Sequence, residues 1–148
     1  MTRTGASKRV DAGHAAGRLR KAEAYHEVAR LAAEHIGRIG HPDPVVSNAV
    51  LAAIGYTDAL TAALGGRVNQ KDHAAAAKLL RDTLGKALPD AQERRLARLL
   101  GRKDDAQYGA RPGRSEEAGQ VVGDLDAFAA WALGLLRDKG LIAADDPT

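Results

Sequence analysis

Arg95, Arg98 and Arg102 recur at steps of three and four, Asp105 continues the row, and Lys103, Gln107 and Tyr108 stand beside it. On a helix that spacing gathers the guanidinium groups on one stripe. A guanidinium matches a phosphate bidentately, and a tyrosine at the following turn can position or stack against a nucleotide. The segment therefore reads as a phosphate-binding surface. Arg102 and Tyr108 are its candidate centre, with Arg95, Arg98, Lys103 and Gln107 as binding groups. The plainer alternative is an exposed helix carrying intrahelical Arg–Asp pairs, which contribute little at a surface.

Two further residues support such a site. Asp58 falls inside a segment that is apolar nearly all round. A carboxylate there needs a partner, and an Arg is the natural one. The pair is either a buttress that fixes helix register or an anchor for a site Arg, and the fourth helix is the expected source of the Arg. His73 sits at a helix start on the apolar side, suited to packing, to capping or to general-base work. The five histidines (His14, His26, His35, His41, His73) show no metal-ligand spacing. Gly65-Gly66-Arg67 reads as a helix stop, since no strand pattern precedes it and no Gly-Lys-Ser/Thr follows.

The elements that must hold these residues are helices. Ala15, Leu19, Ala22, His26, Ala29, Ala33 and Ile36 mark one face of a helix from near Gly13 to near Gly37, broken by Gly40-His41-Pro42-Asp43-Pro44. Val46, Val50, Ala53, Thr57, Leu60 and Leu64 mark a second, apolar enough on its other faces to be central. Asp72 caps a third, which runs to about Leu88 before Pro89. Asp90-Ala-Gln-Glu93 resembles a capping box for a fourth, ending near Tyr108-Gly109. Ser115 caps a fifth, with Val121, Leu125, Phe128, Ala132 and Leu136 on its apolar face and Trp131 beside them. No strand pattern and no repeat are visible. The expectation is one domain over 13–138, a flexible basic arm over 1–12 and a short tail over 139–148.

Charge is segregated along the 148 residues. Residues 1–20 carry net +4, 21–85 net zero, 86–114 net +4 and 115–148 net −5, giving +3 in all. A local basic patch attracts phosphate even when net charge is small. With no cysteine, thiolate metal sites and Cys nucleophiles are excluded. Aromatics at 3% argue against a stacking platform for single strands. The N-terminus lacks an apolar signal region and no long apolar run is evident, so the expected location is cytoplasmic, with no membrane partner.

Three segments together carry a resemblance: Ser47 to Ala59, Asp72 to Leu80, and Leu99 to Gly109. In order and spacing they resemble the HEPN superfamily over about Pro44 to Leu136. The resemblance implies an all-α, up-and-down bundle of about five helices that often forms a homodimer. It implies RNA or a nucleotide as partner and no cofactor or metal. Many members are metal-independent RNases of toxin–antitoxin or phage-defence systems, and others act beside a nucleotidyltransferase. The family motif is an Arg, four to six residues, then a His, often with a Tyr two positions on. Arg102 matches the Arg, but Gln107 stands where the His falls, and Tyr108 follows directly. A neutral amide cannot take a proton from a ribose 2′-hydroxyl. The expected function is RNA or nucleotide-phosphate binding with RNase activity weakened or lost. The alternatives are an active metal-independent RNase toxin with Arg102 and Tyr108, or Arg102 and His73, as its catalytic residues and an antitoxin as partner, and a non-catalytic helper or scaffold.

Overall fold

The structure, a computed structural model, describes residues 7–70, 72–103 and 115–142. Strand β1 (Ser7–Arg9) is followed by helix α1 (Ala12–Glu34), whose N-cap Asp11 accepts from the His14 backbone N–H at 3.1 Å. A single turn, α2 (Ile36–Ile39), closes at Gly40 with φ +74°. Pro42 and Pro44 then set the start of α3 (Asp43–Gly65). Gly66, at φ +66°, ends α3 and turns the chain into β2 (Arg67–Asn69). α4 (His73–Leu84) starts behind Asp72, whose carboxylate accepts from the Ala75 N–H at 3.1 Å. A short 3-10 turn (Gly85–Ala87) leads to α5 (Asp90–Gly101), and α6 (Ser115–Asp138) closes the bundle.

The all-α bundle is therefore as expected, with α3 at its centre. α1, α4, α5 and α6 all pack on α3, and Tyr56, Leu60, Leu80, Leu96, Leu99, Leu125 and Phe128 fill the core between them. Phe128 is fully buried, while Trp131 is only half-buried and tilts against it at 5.6 Å. α3 is long and apolar enough to cross a membrane, but 78% of its apolar window is buried inside the bundle, as a core helix is.

Several local expectations are corrected. The sequence showed no strand, yet β1 and β2 pair antiparallel, with Ser7 opposite Asn69, Lys8 opposite Val68 and Arg9 opposite Arg67. Each is three residues long, too short for alternation to register. The basic arm expected over 1–12 thus includes an ordered strand and a helix cap. α4 stops at Leu84, because Gly85 takes φ +54°. The capping box does not form: Pro89 is the N-cap of α5, and Glu93 turns away to Arg81. α5 ends at Gly101 with Arg102 in the turn, well before Tyr108. α6 begins at Ser115.

Candidate functional site

The end of α5 holds the arginines singled out by spacing. Leu96 and Leu99 are buried under the helix, which leaves Arg98 and Arg102 to reach sideways to α6. Arg98 forms a forked pair with Asp124, at 3.1 Å from Nε and 2.9 Å from Nη2. Arg102 Nη1 donates to Glu117 Oε2 at 2.6 Å. Asp124 and Glu117 are two helical turns apart on α6, so the acidic C-terminal segment answers the basic stripe of α5. Arg95 and Lys103 are half-buried and form no ion pair among the described residues. Gln107 and Tyr108 lie outside the described residues. Arg81 is spent as well. It donates to Glu93 at 3.1 and 2.8 Å, to Asp90 at 3.3 Å and to the carbonyls of Gly85 and Leu88 at 2.6 and 3.1 Å, tying α4 to α5.

Asp58 is buried, as expected, and pairs with an Arg, but with a different one. Arg18 Nη2 of α1, not a residue of the fourth helix, stands 3.1 Å from Asp58 Oδ2. Burial pushes the carboxyl up to about 6, with Arg18 pulling the other way. The pair exists because α1 and α3 approach closely at Ala22 and Gly55, where a Cβ on Gly55 would stand 2.8 Å from the Ala22 Cβ. His73 is half-exposed at the first turn of α4, the residue directly after the Asp72 cap.

Spacing missed a cluster that spans three helices. His26 of α1 is buried, with Nδ1 2.8 Å from the Tyr56 hydroxyl of α3 and Nε2 2.6 Å from Asp126 Oδ1 of α6. Burial raises the phenol far above its ordinary value, so Tyr56 keeps its proton. Each ring nitrogen of His26 thus has a hydrogen-bond partner on another helix. The buried phenol offers no exposed nucleophile, so the cluster clamps α1, α3 and α6 together. The members are 30 and 100 residues apart, and only His26 on its apolar stripe gave a signal.

The N-terminal end of the molecule also carries basic groups that no carboxylate answers among the described residues. Arg9 and Arg67 face each other across the ribbon. Arg67 donates to Ser7 Oγ at 2.8 Å and to the Ser7 carbonyl at 3.2 Å, both neutral oxygens. Like charges directly opposite on a ladder are unfavourable unless an anion lies between them. Next to the ribbon, on α1, a shallow groove of about 410 Å³ is lined by His14, Gly17, Arg18, Arg20, Lys21 and Ala24, with no acid among them. Gly17 leaves it open, since a Cβ there would meet nothing within 4 Å. Lys8, Arg9, Arg20 and Lys21 form no ion pair among the described residues. Among the described residues no group of three His, Asp or Glu is placed to hold a metal ion. No family model matches the chain, and no curated protein matches it in sequence.

Proposed function

We propose that the chain is a helical domain that binds RNA phosphate at its N-terminal basic end and works as a pair of identical chains. The observation that carries the binding reading is the Arg9–Arg67 cross-strand pair beside an acid-free groove with Arg20 and Lys21. An extended polyanion would relieve that repulsion and track from the ribbon onto α1. The resemblance to HEPN domains supplies RNA as the polyanion, and the toxin or defence setting rests on that resemblance alone. Pairing is supported by an exposed apolar row on α1, Tyr25 and Val28 three residues apart, with Leu51 exposed on α3.

A second reading puts the phosphate at Arg102. It is favoured by Lys103, which has no acidic partner among the described residues, and by a cleft of about 420 Å³ at Arg102 between Glu116, Glu117 and Gln120. Glu117 competes with any anion there. Anisotropy titrations against mixed RNA oligomers, over a series of salt concentrations, separate the two. Arg9→Ala with Lys21→Ala should weaken binding several-fold and reduce the salt slope by about 0.7 for each phosphate no longer neutralised. Arg102→Ala should leave the curve unchanged. Loss of binding in Arg102→Ala alone would move the site to α5, and Gln107→His would then be assayed for a gain of metal-independent RNase activity. Absence of salt-dependent binding in the wild type overturns both readings and leaves a scaffold.

A further inference from the structure

Where the first turns of α1, the last turns of α3 and the end of α6 converge, the bundle does not close. A cavity of about 490 Å³ remains, within the size range of clefts that bury small molecules. The sequence makes it: Ala15 on α1 and Ala59, Ala62 and Ala63 on α3 put methyl groups where larger side chains would fill the space. The cavity's floor is aliphatic, with Leu19 and Leu136. Its mouth is lined by the turn after α6, which folds back through the Leu141 N–H to the Leu136 carbonyl at 2.9 Å. Arg20 is the single charged residue of the lining and has no ion-pair partner among the described residues. An aliphatic slot with one cation at its rim is complementary to an aliphatic chain with one anionic head.

We infer that this cavity binds an amphiphilic carboxylate, an acyl chain of medium length. The chain lies between α1, α3 and α6, and the head meets Arg20. This site does not rest on the RNA reading. It shares Arg20 with the basic groove, but its alanine walls play no part in that groove.

Calorimetric titration of the full chain with decanoate tests the inference, with decanol and inorganic phosphate as probes of the tail and the head alone. Decanoate should bind saturably. Arg20→Gln should weaken decanoate about tenfold and leave decanol unchanged. Ala63→Leu, at a half-buried wall position, should weaken both. Ala62→Phe fills the space more completely, and its thermal melt checks that it folds. Both alanine variants should keep the RNA binding of the wild type, so failure here and failure of the RNA reading are distinguishable. No saturable decanoate binding, or binding indifferent to Ala63→Leu, overturns the inference. So does displacement of decanoate by inorganic phosphate with no binding of decanol, which would mark an anion site only.

Discussion

Asp58 shows what a single residue reveals and what it conceals. Its type and its place on an apolar helix made a buried carboxylate with an Arg partner legible. Which Arg was not legible, because helix pairing is a tertiary fact, and the partner turned out to be Arg18 of α1. The same limit hid the contact between His26, Tyr56 and Asp126, which no spacing along one helix can encode. It also masked the pairing of Arg98 and Arg102 with acids on α6. Asp58 has a measurable consequence. In the unfolded chain its carboxyl loses its proton near pH 4, whereas in the fold burial holds the proton to about pH 6. The native state binds more protons in that window, so stability falls as pH rises through it and is level above it. Across that window the loss is on the order of 3 kcal/mol. Asp58→Asn keeps an oxygen for Arg18 and removes the titration. Urea unfolding of both proteins from pH 4 to pH 7 should show the wild type losing stability relative to the variant by up to about that amount. A difference that stays level with pH would rule out the buried-carboxylate account.

At the scale of elements, apolar stripes announced all five long helices, and the all-round apolar character of α3 announced its central place. The ribbon was invisible because Ser7–Arg9 and Arg67–Asn69 are three residues each, and one of the two carries no apolar residue at all. Helix ends were misjudged where a glycine or a competing side chain intervened, at Gly85 and at Glu93. The α1–α3 contact rests on something the pattern did not flag, the absence of a side chain at Gly55. A Cβ there would stand 2.8 Å from the Ala22 Cβ and 3.0 Å from its Cα, so backbone must move. Gly55→Ala should cost about 1–3 kcal/mol by overpacking, despite the gain in helix propensity. Gly119 is exposed on α6, and a Cβ added to it would meet nothing within 4 Å, which makes it the matched control. Gly119→Ala should be neutral or stabilise by up to about 1 kcal/mol. Equal urea midpoints for the two variants would mean that the close approach at Ala22 has no energetic weight.

For the molecule as a whole, the charge blocks read from the sequence acquire a physical meaning once folded. The acidic α6 lies against the basic α5 and pairs with Arg98 and Arg102, whereas Lys8, Arg9, Arg20 and Lys21 at the N-terminal end have no such partner among the described residues. The positive field of those four groups is small on one chain, and two chains side by side would double it over a longer polyanion. Net charge of +3 gives little repulsion between copies. The apolar row of Tyr25 and Val28 lies on α1, the same helix that carries Arg20 and Lys21. A two-fold interface built there would set the two basic grooves on neighbouring helices. Sedimentation equilibrium at tens of micromolar should therefore give twice the 15.5 kDa of one chain. Val28, 47% exposed, makes the decisive variant, because Val28→Lys leaves the core untouched and places like charges across a two-fold axis. It should sediment as a single chain with an unchanged thermal melt, and its RNA titration should lose affinity even though the substitution adds a positive charge. A wild type that sediments at 15.5 kDa throughout removes the pairing proposal and leaves RNA binding to be carried by one groove.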